Sequence, residues 1–212
     1  VYKRQAYAVA KEMGFAEQDV VWVRSSFDEA IQPGVKNFDV NMQQYSITAE
    51  RDQVVDFSLP YYTAPMAVLV GAGAADTKPT IAALKGLKWG AVGSTTAVQK
   101  IANVVQPTAD PLLYGDNADV NAAITANQID GAMFDLPTAL FLSAVMIEGS
   151  KVIGQFPPET SDNADQFGML MEEGNPLKAC VDAALTAMIE NGTLASIEAQ
   201  WLQDTTGVPL IK

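Results

Sequence analysis

Polar and apolar positions along the chain follow two alternating periods. Short runs rich in apolar and β-branched residues predict extended segments at 19–23, 38–47, 54–58, 66–73, 88–92, 129–134 and 167–171. Helical patterns fall at 6–14, after Ser26, after the turn at 93–96, after Asp135, and twice beyond residue 174. Because strands alternate with helices, the order predicts α/β layers with largely parallel sheets.

Two segments of linker composition interrupt this pattern. Residues 72–80 (AGAADTKPT) and 156–165 (FPPETSDNAD) are small, polar and contain proline. A chain that leaves one lobe and later returns to it needs two such crossings. We therefore expect a first lobe of residues 1–70 plus 168–212 and a second lobe of residues 71–167. The crossing strands near 68–71 and 166–169 would form the hinge.

The first five residues, VYKRQ, match the translation of a sequencing-library adapter. We expect residues 1–5 to be foreign to the natural protein and exclude them from the fold prediction; the alternative is a native basic N-terminus. No cap precedes the helical pattern that ends at Gly14. We therefore also expect that a natural N-terminal segment, with a first strand, is missing.

Composition excludes several classes of function. The 212 residues are 49% hydrophobic and carry a formal net charge of −12, with a pI of about 4.3, so a core can form but nucleic acid is not an expected partner. The chain has no histidine, which removes Ser-His-Asp catalysis and the common zinc sites. Its one cysteine, Cys180, lies in an apolar helical pattern and is expected to be a buried thiol. No apolar run reaches the ~18 residues that cross a bilayer.

Three polar clusters fall where a predicted strand ends and a helix begins: Ser46 to Arg51, Gly93 to Thr96, and Asp135 to Thr138. Ligands of open α/β sheets bind beyond the carboxyl ends of strands, where helix N-termini attract anions. The guanidinium of Arg51 can hold a carboxylate by two parallel hydrogen bonds, and the Asp135 carboxylate can accept from an ammonium group. The clusters therefore suggest a site for a zwitterion, with its carboxylate on Arg51 and the Thr95 turn.

Each cluster also has an ordinary structural interpretation. Arg51 taken alone is a solvated charge that pairs with Asp52 or Glu50. The turn at 93–96 can be a helix start with no ligand, and Asp135 can serve only as a helix cap. Spacing and composition leave both interpretations open.

Four stretches in register carry a resemblance to a known family. SITAERDQVVDFSLPYY resembles the signature S-I-T-x-E-R…V-D-F-S-x-P-Y-Y of type II extracytoplasmic solute-binding proteins of polar amino-acid ABC importers. The similarity continues through LKGLKWGAVGSTTA, NQIDGAMFDLPTA and ALTAMIENGTLASIEAQWL. It covers residues 6 to about 203 in the family's order and spacing.

The resemblance implies ligand contacts at seven positions: Phe27, Gln44, Ser46, Arg51, Ser94, Thr95 and Asp135. By analogy with the family, Arg51 and Ser46 bind the ligand carboxylate in the first lobe, and Thr95 binds it in the second with Ser94 beside it. Asp135 and the backbone carbonyl of Gln44 receive the ammonium group, and Phe27 packs on the ligand side chain.

Three features depart from the family pattern. Gln44 occupies a position where glycine or another small residue is usual. The loop before Ser94 is about one residue short, so Thr95 and Thr96 are alternatives for the contact in the second lobe. The family's first strand and the loop after it, which brings a further ligand contact, are absent.

The resemblance implies a two-lobe, periplasmic-binding-protein-like type II fold, each lobe a mostly parallel sheet flanked by helices. Such a bacterial protein closes around an amino acid and passes it to the membrane permease of an ABC transporter. The implied protein is a monomer with no catalytic residue, cofactor or metal. It is periplasmic or extracellular, with or without a lipid anchor.

Two other functions are known on the same fold. One is an enzyme like periplasmic cyclohexadienyl dehydratases, which needs a general acid; Glu172 and Glu173 are the candidates besides Asp135. The other is the ligand-binding module of a sensor. Ligand selectivity is not readable, although Gln44, Tyr45 and Arg24 hint at a polar or mid-sized ligand.

Overall fold

The computed structural model describes residues 2–157, 165–202 and 207–212. Most of the predicted linker at 156–165 lies outside the described residues. The chain divides into two compact units. We call them unit 1 (Val1–Thr63 and Asp165–Asp204) and unit 2 (Ala64–Ala164 and Thr205–Lys212).

Helices and strands alternate along the described chain. The α-helices are α1 (Tyr2–Glu12), α2 (Phe27–Ala30), α3 (Ile81–Leu84), α4 (Thr96–Lys100), α5 (Asn117–Thr125), α6 (Leu136–Phe141), α7 (Leu177–Glu190) and α8 (Thr193–Leu202). The strands are β1 (Asn41–Ser46), β2 (Asp56–Phe57), β3 (Tyr62–Ala64), β4 (Met66–Val70), β5 (Trp89–Val92), β6 (Leu112–Tyr114), β7 (Gly131–Asp135), β8 (Lys151–Gln155) and β9 (Asp165–Met171). Short 3-10 helices lie at Glu17–Asp19, Arg51–Gln53 and Ala72–Ala74, and π-helical turns extend α4 and α6 through Ile101–Val105 and Leu142–Met146.

The sheet of unit 1 has the order β1-β9-β2, and β3 also pairs with β9. Both β1 and β2 run antiparallel to β9, with Ser46 opposite Phe167. The predicted α/β class is correct, but the prediction of a mostly parallel sheet is wrong for this unit. Strand–helix alternation predicts parallel pairing only between consecutive strands, and β1 pairs with a strand from the distant end of the chain.

The sheet of unit 2 has the order β6-β5-β7-β4-β8. Strand β5 is parallel to β6 and β7, whereas β4 is antiparallel to β7 and β8. The parallel part is the stretch joined by helical crossovers through α4 and α5, as the alternation predicted. The sheet as a whole is mixed.

Both faces of the unit 2 sheet are covered. Along β4, Met66, Val68 and Val70 belong to one buried apolar cluster, and Ala67 and Leu69 belong to another. Successive residues of a strand point to opposite faces, so each face of the sheet has its own core. The first cluster includes residues of α3 and α4, and the second includes residues of α5 and α6. The sheet is therefore a middle layer, and its candidate ligand residues lie at strand ends.

The boundaries of the two units differ from the predicted lobe boundaries, and the predicted lobes and hinge stay a prediction. Strand β4, predicted at the end of the first lobe, lies inside unit 2 between β7 and β8. The C-terminal residues also join unit 2, where Ile211 N donates to Gln155 O at 2.9 Å. The chain therefore passes between the units three times, at 63/64, 164/165 and 204/205, instead of twice at 70/71 and 167/168. The residues predicted as a hinge, 68–71 and 166–169, lie within or at the end of the sheet strands β4 and β9.

Two further predictions are wrong in unit 1. The run at 19–23 forms no strand, and Val21 is 80% exposed; a β-branched run becomes a strand only where a neighbouring backbone pairs with it. Cys180 is exposed, because it precedes Val181, on the buried stripe of α7, by one residue, or about 100° around the helix. Residues Tyr2–Gln5, which are left out of the fold prediction, are helical and belong to α1; their foreign origin stays a prediction.

The predicted capping signals hold. Gly14, just past α1, has a φ of +91°, which suits a helix stop. The Ser26 side chain accepts from Glu29 N at the start of α2. Of the described helices, none is long and apolar enough to span a membrane.

Candidate ligand-binding site

Arg51 is a buried residue of unit 1, with 9% of its surface exposed. It begins the 3-10 turn after β1, and its backbone N donates to Thr48 Oγ1 at 3.2 Å. Its guanidinium Nη1 donates to Ser46 O at 2.8 Å. The interpretation of Arg51 as a solvated surface charge is therefore wrong.

Ser46 ends β1 and is also buried. Its hydroxyl donates to Asp165 Oδ1 at 2.9 Å, across 119 positions of sequence. The contact exists because β9 pairs antiparallel with β1, which brings the first residue of β9 to the end of β1. Two of the predicted carboxylate-binding residues thus lie together with an acidic residue that the sequence analysis did not single out.

Phe27 stacks on Tyr45, with ring centroids 4.2 Å apart and planes inclined by 24°. Arg51 Cζ lies 5.6 Å from the Phe27 centroid, within the range of a cation–π contact. Tyr45 is fully buried, and its hydroxyl lies 3.1 Å from Phe27 O and 3.0 Å from Gln43 Oε1. Phe27 itself is half-buried. It is therefore held from one side by Tyr45 while part of its ring stays accessible.

Gln44 has a φ of +60°, at an irregularity in the pairing of β1 with β9. This left-handed conformation strains any residue with a Cβ and favours glycine. It supplies a physical reason for the small residue usual at this position. The chain instead places a longer side chain at a strained backbone position beside Tyr45.

Burial governs the titration of this cluster. Desolvation lowers the pKa of Arg51, while Tyr45, Asp165 and Glu50 oppose the shift by favouring the charged guanidinium. Desolvation likewise raises the pKa of Tyr45 above its ordinary range, and the charge of Arg51 opposes it. The Tyr45 hydroxyl is therefore neutral at physiological pH. Arginine stays protonated in proteins, so Arg51 carries a full positive charge.

Thr95 caps α4 in unit 2 by position, but its side chain makes no capping bond. Its Oγ1 instead donates to Val92 O at 2.8 Å, and its backbone N donates to the same carbonyl at 3.1 Å. The predicted turn between β5 and α4 is therefore present. Ser94, Thr95 and Thr96 are all half-buried at the strand end.

Asp135 ends β7 and caps α6. Its Oδ1 accepts from Thr138 N at 2.9 Å, as the predicted cap does, and Pro137 lies in the first turn of α6. A carboxylate has about four acceptor positions, so capping does not exhaust its capacity. The ordinary structural role of Asp135 is real, and it is compatible with a second contact to an ammonium group.

Two residues in contact with the predicted ones, Asp165 and Tyr45, were missed or underrated by sequence reasoning. The burial of Tyr45 could have been predicted, because it follows Gln44 in a predicted strand and successive strand residues point to opposite faces of the sheet. The contact of Asp165 could not have been predicted, since Asp165 lies in a segment of linker composition and reaches Ser46 only through the sheet.

The predicted general acids lie elsewhere. Glu172 Oε2 accepts from Lys36 N at 2.9 Å, and Glu173 is exposed. Phe167 is opposite Ser46, and Glu172 is five residues further on, roughly 16 Å along an extended strand. Within the described ranges, no group of three potential metal-ligating side chains comes together.

The comparisons with known proteins decide the family. A family of bacterial extracellular solute-binding proteins, family 3, matches residues 4–204. The chain belongs to this family. A role in binding a solute outside the cytoplasm follows from membership, as does the mixed two-sheet fold of type II binding proteins.

Individual relatives of the family are more distant. The L-arginine-binding protein of Pseudomonas aeruginosa is 25% identical over 185 residues, which are 85% of this chain and 71% of the relative. The L-cystine-binding protein TcyJ of Escherichia coli K12 is 28% identical over 167 residues, 78% of this chain and 60% of the relative. A solved structure of an ancestral arginine-binding protein bound to glutamine has a TM-score of 0.76 at 27% identity, covering 95% and 87% of the two chains.

Proposed function

We propose that this family 3 protein binds a free amino acid and delivers it to the membrane permease of an ABC importer. The observation that carries the proposal is the buried guanidinium of Arg51 beside the buried Ser46. A buried guanidinium is a positive charge shielded from water, so it attracts an anion more strongly than an exposed one does. A ligand carboxylate is the partner whose charge and planar geometry suit it.

The remaining predicted contacts fit the same ligand class. Asp135 offers a carboxylate for an α-ammonium group, and Thr95 lies at a strand end of unit 2 beside Ser94. Phe27, which is half-buried, would pack against an apolar part of the ligand. The relatives that bind arginine, cystine or glutamine all bind amino acids, and they support this class without selecting one member.

A screen of the twenty amino acids by thermal unfolding tests the proposal. A ligand that binds only the folded chain stabilises it by RT ln(1 + [L]/Kd), about 2.7 kcal/mol at a hundredfold excess over Kd. We expect at least one amino acid to raise the melting temperature by several degrees. If all twenty leave the melting curve unchanged, the proposal fails.

A lyase activity is the second candidate, and Asp165 is the observation that favours it. It is a carboxylate hydrogen-bonded beside the proposed carboxylate site, where an elimination would need its general acid. We propose a binding role without chemistry, because the Asp165 oxygen already accepts from Ser46. Formation of phenylpyruvate or phenylalanine from prephenate or arogenate by the purified chain would reverse this choice.

A further inference from the structure

We propose that the Asp165 carboxylate competes with the ligand's carboxylate for the Ser46 hydroxyl, and that an amino acid displaces Asp165 from Ser46 when it binds. The inference rests on the proposed function, because it concerns the same carboxylate site. Asp165 is then a residue that sets affinity, although it donates nothing to the ligand.

The first observation concerns the hydrogen bond that the Ser46 hydroxyl donates. A serine hydroxyl has one hydrogen, and an ionised carboxylate can only accept. The 2.9 Å bond between Ser46 Oγ and Asp165 Oδ1 therefore uses the only hydrogen of Ser46. A ligand carboxylate also only accepts, so Ser46 cannot serve both at once. Binding through Ser46 requires that its hydroxyl turn away from Asp165.

The second observation concerns the opposite charges of Asp165 and Arg51. Asp165 lies close enough to favour the charged form of Arg51, which raises the pKa of the guanidinium against desolvation. It thus partly neutralises a buried cation that the ligand carboxylate would otherwise neutralise alone. A second carboxylate arriving at Arg51 is repelled by the first. The ligand carboxylate therefore competes with Asp165 for the Ser46 hydrogen and for the positive charge of Arg51.

The arrangement predicts opposite effects on stability and affinity. Without the Asp165 charge, the buried Arg51 loses a compensating anion, and the folded chain becomes less stable. The incoming carboxylate meets no rival, so the amino acid binds more tightly. A purely structural Asp165, which only holds Ser46 in place, would predict a loss of both.

Asp165→Asn is the test variant, because asparagine keeps the shape and removes the charge. Its amide can also donate to Ser46 Oγ, which releases the Ser46 hydrogen for the ligand. Calorimetric titration with each of the twenty amino acids compares this variant with the natural chain. We expect a Kd about 3- to 10-fold lower for the amino acid that binds, since one net hydrogen bond and a repulsion are at stake. We also expect a lower melting temperature without added amino acid.

Three outcomes are distinct. Tighter binding with lower stability supports the inference, most directly if the carboxamide of the same amino acid gains nothing. Equal or weaker binding by Asp165→Asn overturns the inference and leaves the proposed function standing. Absence of binding by both proteins overturns the proposed function and the inference together. If Asp165→Asn does not fold, Asp165→Ser, which is also neutral, takes its place.

Two controls isolate the contact. Glu190→Gln removes one negative charge from an exposed position of α7 in the same unit, and it should leave Kd unchanged. An equal gain in this control would show that net charge, and not Asp165, is responsible. In a Ser46→Ala background, Asp165→Asn should gain less than in the natural chain, because the shared hydrogen is gone. If the effects of Ser46→Ala and Asp165→Asn on the binding free energy simply add, competition through Ser46 is excluded.

Discussion

The two units differ in where their polar side chains lie. Among the described residues, the buried polar or charged side chains all belong to unit 1: Gln5, Asn41, Ser46, Arg51 and Ser58. In unit 2, two apolar clusters fill both faces of the sheet, and the polar residues Thr95 and Asp135 lie at its rim.

Because of this difference, the candidate ligand residues affect stability in different ways in the two units. In unit 2 the candidate residues also cap helices and close turns, so the same side chains stabilise the fold. In unit 1 the candidate residues Ser46 and Arg51 are buried polar groups, and their desolvation lowers the free energy of unfolding. Neutralising Asp165 in unit 1 should therefore change binding and stability in opposite directions, whereas removing the Asp135 side chain in unit 2 should lower both.

Arg51→Ala is the largest expected effect. Truncating one partner of a buried, hydrogen-bonded charge pair typically costs about 2–5 kcal/mol of binding free energy, so binding should weaken about thirtyfold or more. Calorimetry on the folded variant, checked by circular dichroism, measures it. Arg4→Ala, an exposed arginine on α1, is the matched control and should bind normally. Normal binding by Arg51→Ala would make Arg51 a structural residue only.

Asp135 permits a cleaner separation of roles in unit 2. Asparagine caps helices as well as aspartate does, so Asp135→Asn should keep stability while binding weakens roughly 10- to 100-fold, as expected for a lost hydrogen bond to a charged group. Asp135→Ala should show the same loss of binding and a further destabilisation of about 1 kcal/mol. Unchanged affinity in Asp135→Asn would leave capping as its only role.

Gln5→Leu tests the cost of buried polar groups in unit 1. Gln5 is fully buried on α1, and neither its Oε1 nor its Nε2 has a hydrogen-bond partner among the described residues. Removing unsatisfied groups should raise the free energy of unfolding by about 1–3 kcal/mol, measured by urea denaturation. Gln128→Leu, at an exposed position of unit 2, should change it little. A destabilised Gln5→Leu would contradict the comparison.

Glu198 gives the smallest effect and a pH dependence. Burial raises the pKa of this carboxyl group on α8. The folded chain then holds its proton above the pH at which the unfolded chain releases it, so stability falls as pH rises from about 4.3 to the raised value. Glu198→Gln should melt slightly higher than the natural chain at pH 7, and equally at pH 3. A gain of the same size at both values would exclude ionisation as the cause.

Local features were the predictable part of the fold. The caps at Ser26 and Asp135 and the stop at Gly14 follow from side chains three residues from their partners, or from one backbone angle, and the structure has them. The run at 19–23 and Cys180 failed because their burial depends on what packs against them. An apolar pattern says that a segment can be buried, and the neighbouring elements determine whether it is.

The sequence by itself determined the family, the order of the helices and strands, and the capping role of Asp135, because each rests on residues close together in the chain. Only the tertiary structure decided that Arg51 is buried and that the Ser46 hydroxyl meets Asp165, 119 positions away. The reason is the antiparallel pairing of β1 with β9, whose register no local pattern specifies. That pairing turns a surface-like motif into a desolvated cluster of opposite charges.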